Sequence, residues 1–140
     1  MLNYVHEAWH VIAATVDGVE ADIVNNRTTT LSRYTPYVIY MGYFGEVITY
    51  TGLAAILAYS SKTWYFSGFP FGILHYIAYY RAPRSADFLV HAAKLFTPAG
   101  VREGLIRWYI ITSIIILIGW IITIKRFRRG NVILSHAKSH

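Results

Sequence analysis

Residues 108–124 read W-Y-I-I-T-S-I-I-I-L-I-G-W-I-I-T-I. The stretch carries no charge, follows Arg107 directly, and runs into Lys125, Arg126, Arg128 and Arg129. In water such β-branched density would suit a strand. In lipid a single isolated span satisfies its own backbone hydrogen bonds only as a helix. Trp108 and Trp120 suit the two membrane interfaces, and the flanking cations reach the headgroups by snorkelling. The sequence therefore predicts a transmembrane helix over 108–124.

A second apolar run, P-Y-V-I-Y-M-G-Y-F-G-E-V-I-T-Y-T-G-L-A-A-I-L-A-Y, occupies residues 36–59 and holds one charge, Glu46. As a helix it would reach about 36 Å, against a hydrocarbon core of about 30 Å. Pro36 suits a first turn, where its missing N–H costs nothing. With its boundary at residue 60, this run is the first predicted span. Composition agrees with a bilayer. The 140 residues suffice for one domain, 55% are hydrophobic and only 14% are charged, against roughly 25% charged in a soluble domain. A net charge of +6 admits an anionic lipid surface or nucleic acid as partner. The absence of cysteine excludes disulfides, thiolate metal sites and cysteine nucleophiles. No basic region followed by an apolar core opens the chain, so insertion is expected to rest on the internal segments.

The predicted fold class is an all-α membrane protein with two transmembrane helices, residues 64–80 being a third candidate, and amphipathic interfacial helices. Residues 1–24 form an amphipathic helix with Tyr4, Val5, Trp9, Ile12, Ala13 and Val16 on one face, broken or kinked near Asp17-Gly18. Residues 25–35 are a polar linker containing the sequon Asn26-Arg27-Thr28. Residues 61–107 are an extracytoplasmic loop. Within it, the aromatic stretch 64–80 is interrupted by Gly68, Pro70 and Gly72 and reads as interfacial or re-entrant, R-A-P-R makes a turn, and Ser85 caps a short amphipathic helix over 85–96. Residues 125–140 are a basic tail. The cations divide seven to six between the two sides of such a layout, so their totals do not orient it. The dense K-R-F-R-R cluster places the tail in the cytoplasm.

Residues 6–10, H-E-A-W-H, form the one catalytic pattern in the chain. Histidines at i and i+4 project from one helix face to bind zinc, and the glutamate between them acts on the attacking water. His6, Glu7 and His10 satisfy that spacing. A third ligand is not evident: Ala13 and Val16 occupy the positions where a longer motif would place Gly and His, Asp17, Glu20 and Asp22 follow too closely, and no later Asp-bearing motif is recognisable. The expectation is no metal and no cofactor, with His6 and His10 on the wet or interfacial side of their helix. Glu46, beside Gly42 and Gly45, reads as a helix-packing site in which a protonated carboxyl bonds a neighbouring helix of an oligomer, in preference to proton or ion handling. A bis-histidine haem through His75 and His91 is disfavoured because neither lies in a predicted span. Gly68-xxx-Gly72 and Gly100-xxx-Gly104 match small-residue packing spacing outside the spans.

Y-I-A-Y-Y (76–80), V-H-A-A (90–93), the span Trp108–Ile124, R-F-R-R-G and His140 together follow a layout that resembles the N-terminal membrane region of TraD-type coupling proteins, the inner-membrane ATPases of conjugative type IV secretion. The resemblance covers about residues 26–140. It implies a non-enzymatic anchor and assembly module, or a fragment of a longer ATPase, in the inner membrane. Its implied partners are lipid, other membrane subunits and further copies of itself, with nucleic acid reached only indirectly. The lead of residues 1–24 is longer than that layout has, and no Walker motor is present. The alternatives are an accessory subunit of a respiratory or ATP synthase complex, at home in the mitochondrial inner membrane, and a membrane zinc hydrolase.

Overall fold

The computed structural model describes residues 2–25, 28–60 and 65–138. Asn26 and Arg27 of the sequon, Trp64 and His140 lie outside the described residues.

Helix α1 (Leu2–Val16) stops because Gly18 takes a positive φ of 64°. The Val19 N–H then bonds the Ala14 carbonyl at 2.8 Å and the Gly18 N–H bonds that of Thr15 at 3.4 Å. These two reverse bonds satisfy carbonyls that the helix end would leave open. Beyond the turn, β1 (Ala21–Asn25) and β2 (Thr28–Leu31) pair antiparallel, with Ala21 opposite Leu31 and Ile23 opposite Thr29. The predicted helix over 1–24 and linker over 25–35 are corrected accordingly, and the fold is mainly, not wholly, α-helical. Ile23, Val24 and the threonines of β2 are β-branched and suit a pleated ribbon.

Helix α2 (Pro36–Ser60) begins with Pro36 in its first turn and Thr35 as cap, whose hydroxyl accepts the Val38 N–H at 3.2 Å. Helix α1 lies close along it. A Cβ on Gly45 would stand 2.0 Å from Cγ of Trp9, so only glycine lets the two backbones approach this far. Helix α3 (Tyr65–Tyr76) continues through a π-helical turn, Ile77–Arg81, a 3-10 turn, Ala82–Arg84, and a second π-helical turn, Asp87–His91, into α4 (Ala92–Leu95). The described part of 61–107 is thus largely helical, where the sequence predicts a loop holding an interfacial segment and one short helix over 85–96. Ser85 caps the second turn by accepting the Phe88 N–H at 3.3 Å. Phe96 turns to extended backbone, and Thr97-Pro98 opens the next helix.

That helix, α5 (Pro98–Lys138), encloses the predicted span 108–124 and extends it in both directions. Its portion Pro98–Arg126 has a mean hydropathy of 2.1 over its most apolar window, of which only 17% is buried. Ile110, Ile114, Leu117, Ile118 and Ile121 face outward. Among the described residues it is the one helix long and apolar enough to cross a membrane. The core joins Tyr43, Val47, Tyr50 and Ala54 of α2 to Phe71 and Leu74 of α3, Phe88, and Trp108 and Ile116 of α5. Trp108 therefore sits in the core and not at an interface: its Nε1–H donates to the Ala78 carbonyl at 2.9 Å. Trp120 stacks on Phe71 with ring centroids 4.5 Å apart. Arg107 pairs with Glu103, Arg126 lies 5.6 Å from the Tyr59 ring centre, and Lys125, Arg128 and Arg129 are exposed.

A candidate metal centre between α1, α2 and the second π-turn

One helical turn separates His6 from His10, so both imidazoles leave the same face of α1. That face is turned inward. His6 and His10 are each 5% exposed, which corrects the expectation of a wet or interfacial placement. The reason is Gly42, which gives α2 a smooth surface there. A Cβ at Gly42 would stand 2.5 Å from His10 Nε2 and 2.6 Å from His6 Cε1.

Asp87 meets them from the second π-helical turn. Its Oδ2 lies 3.0 Å from His6 Nε2 and 3.2 Å from His10 Nε2, and the two Nε2 atoms are 3.0 Å apart. Three donor atoms from residues up to 81 positions apart thus form a nearly equilateral triangle. Tetrahedral ligands about 2.0–2.1 Å from a zinc ion stand about 3.3 Å from one another. The triangle is therefore of the size a zinc ion needs.

The tautomers sharpen this fit. His10 Nδ1 is 2.7 Å from the Val38 carbonyl, which only accepts, so Nδ1 carries a proton. A neutral His10 then presents a bare lone pair at Nε2 to the Asp87 carboxylate. Two electron-rich atoms at 3.2 Å need a cation between them, either a proton or a metal ion. Burial works against a charged His10, yet the hydrogen bond and charge of Asp87, the Val38 carbonyl and the charge of Glu7 raise its pKa on balance. Burial likewise pushes Asp87 up, but the hydrogen bonds and charges of His10 and His6 outweigh it and hold Asp87 well below the usual carboxylate range.

Around the triangle two of the three donors are oriented, His10 by the Val38 carbonyl and Asp87 by His91. Asp87 Oδ1 accepts from His91 Nδ1 at 3.0 Å, and His91 stacks on Tyr34. Glu7, 7% exposed, accepts the Thr29 hydroxyl of β2 at 2.6 Å. Glu46 is fully buried and paired with Arg81 at 2.5 Å, which corrects the expectation that it bonds a helix of another copy. Arg81 also donates to Asn3 Oδ1 of α1 at 2.7 Å. Gly42, Gly45 and Glu46, expected as a packing face, lie where α2 meets α1 of the same chain. A cavity of about 280 Å³ opens onto the triangle, lined also by Glu7, Thr28, Thr29, Tyr43 and Arg81.

His75 is remote from this group; it accepts the Trp120 Nε1–H at 3.1 Å, while His91 serves Asp87, so the two do not face one another across a haem. The spacing of His6, Glu7 and His10 was legible in the sequence, whereas Asp87 and Arg81 were missed. A short list was available: the chain has seven acids, and after Glu46 only Asp87 and Glu103 remain.

No protein-family model, no curated protein and no solved structure matches the chain.

Proposed function

We propose that the chain is a membrane-anchored zinc-dependent hydrolase acting on peptide bonds. The observation that carries this reading is the convergence of His6 Nε2, His10 Nε2 and Asp87 Oδ2 in the wall of a cavity that Glu7 also lines. Two imidazoles and one carboxylate with a fourth position left for water is the donor set of catalytic zinc sites. Two buried histidines and a half-buried aspartate whose donor atoms converge within 3.2 Å are more than helix packing alone requires.

Bound zinc supplies a Lewis acid and an acidified water. The chain supplies the rest. His6, His10 and Asp87 hold the ion, and the Val38 carbonyl and His91 hold two of these ligands in register. Glu7 takes the proton of the attacking water and passes it to the leaving amine, and the Thr29 hydroxyl keeps its carboxylate at the cavity wall. The hairpin favours a peptide as substrate. Among the described residues β2 pairs only with β1, and Thr28, Thr29 and Leu31 line the cavity. An extended peptide added to the open edge of β2 would run past the metal ligands, held by main-chain hydrogen bonds. The outward-facing isoleucines of α5 favour placement at a membrane.

The test is metal content and proteolysis of the detergent-purified chain. Stoichiometric zinc, lost in His6→Ala and Asp87→Ala, together with zinc-dependent cleavage of an unfolded protein such as casein, is the expected result. Wild-type protein that takes up no zinc at micromolar free metal would overturn the proposal.

A further inference from the structure

Glu46 lies outside the ligand triangle, on the far side of His6. Its Oε2 and the Nδ1 of His6 are 3.8 Å apart, and both are buried. Neither has a hydrogen-bond partner, and they are two of the three such side-chain atoms among the described residues. Buried polar groups are nearly always paired. Here two unpaired ones face each other, about 1 Å beyond bonding distance.

We infer that Glu46 is the positioning residue for His6: it accepts the Nδ1 proton and holds the ring in the tautomer that binds metal. This rests on the zinc reading above. A histidine that gives its Nε2 lone pair to a metal must carry its proton on Nδ1, and that proton needs an acceptor. His10 has one already, the Val38 carbonyl. For His6 the facing atom is Glu46 Oε2. The other carboxylate oxygen, Oε1, is occupied by Arg81, whose second nitrogen is tied to Asn3, one turn before His6 on α1. Arg81 balances the buried charge and fixes the carboxylate so that Oε2 is left for His6. With zinc bound, the His6 ring would need only a small rotation to close the 3.8 Å gap. The fully buried acid in the apolar run 36–59 is thereby given a task.

The experiment compares wild type, Glu46→Gln and Glu46→Asp, each purified in detergent. Zinc affinity is read by competition with a chromophoric chelator, and ring protonation by ¹⁵N signals of the histidines in the zinc-loaded protein. Glu46→Gln is expected to bind zinc about 10- to 100-fold more weakly with unchanged circular dichroism. Glu46→Asp is expected to recover part of the loss, and the wild-type His6 Nδ1 is expected to be protonated and strongly hydrogen-bonded. A Glu46→Gln affinity within twofold of wild type would overturn the inference while leaving the zinc site intact. Wild type that binds no zinc removes the site itself, so the two failures are distinguishable. If Glu46→Gln does not fold, the wild-type ¹⁵N spectrum decides alone: a His6 Nδ1 without a proton, or one exposed to rapid solvent exchange, overturns the inference.

Discussion

His10 packs directly on Gly42, with no room for a methyl group between its Nε2 and the backbone of α2. Gly52, ten residues further along the same helix, has nothing within 4 Å of where its Cβ would be. Gly42→Ala should therefore displace both imidazoles, costing about 1–3 kcal/mol by overpacking and weakening zinc binding as well. Gly52→Ala should be neutral or stabilising by up to about 1 kcal/mol, from helix propensity alone. Thermal denaturation in detergent, with and without zinc, separates the two; equal behaviour of both variants would contradict the close approach of α1 to α2.

In the proposed hydrolase Glu7 and the metal ligands have separable tasks. Glu7→Gln should keep stoichiometric zinc and lose about 10²–10⁴-fold in kcat, the usual worth of a general base. Thr29→Val, which removes the hydroxyl that holds Glu7, should cost less and leave zinc content unchanged. Metal analysis beside casein turnover checks both, and a Glu7→Gln protein of full activity would exclude its role as base.

In the proposed site proton and metal would compete for His10 Nε2, and the metal-free protein is expected to be pH-dependent in a definite sense. The raised His10 pKa contributes stability that is complete below about 6.5 and is lost as pH rises through the higher folded value. The lowered Asp87 pKa contributes stability that is present above about 3.9 and is lost as pH falls through the folded value. The metal-free chain should gain most from this pair between those limits and weaken as pH rises through the raised His10 value. The rise in Tm on adding zinc should instead grow from pH 6 to pH 8, because the ion no longer has to displace a proton. Asp87→Asn should abolish both trends.

Helix α5 is expected to hold the chain in the bilayer through a face on which Ile114, Leu117, Ile118 and Ile121 are all substantially exposed. The expressed protein should stay in the membrane pellet after alkaline carbonate washing. Leu117→Lys with Ile121→Lys should release a large part of it, since each lysine near the bilayer centre costs about 2.5–3.5 kcal/mol on insertion scales. Quantitative release of the wild type would remove the membrane from the proposal.

What could be read from the chain was whatever is periodic or local. The i, i+4 spacing of His6 and His10, the apolar length around Ile116, the cap at Ser85 and the break at Gly18 are consequences of covalent neighbours, and each was legible. The pairing of β1 with β2 was not, because five- and four-residue strands in a polar stretch carry too little alternation to outweigh a linker reading. Trp108 was misplaced for a related reason: an aromatic at the end of an apolar run has the same signature whether it meets headgroups or, as here, Phe88 and the Ala78 carbonyl.

The sequence alone determined that an apolar helix lies around Ile116 and that His6 and His10 share one face of α1, because helix geometry converts spacing into a shared face without help from the rest of the chain. Only the tertiary structure decided that Asp87 joins the two histidines. Asp87, 77 residues beyond His10, acquires meaning when two π-helical turns and the Gly42 surface of α2 bring its carboxylate to 3.2 Å from an imidazole lone pair. Contacts at that separation depend on how the helices pack, and packing is set by the whole set of side chains at once, not by any stretch that can be read in isolation.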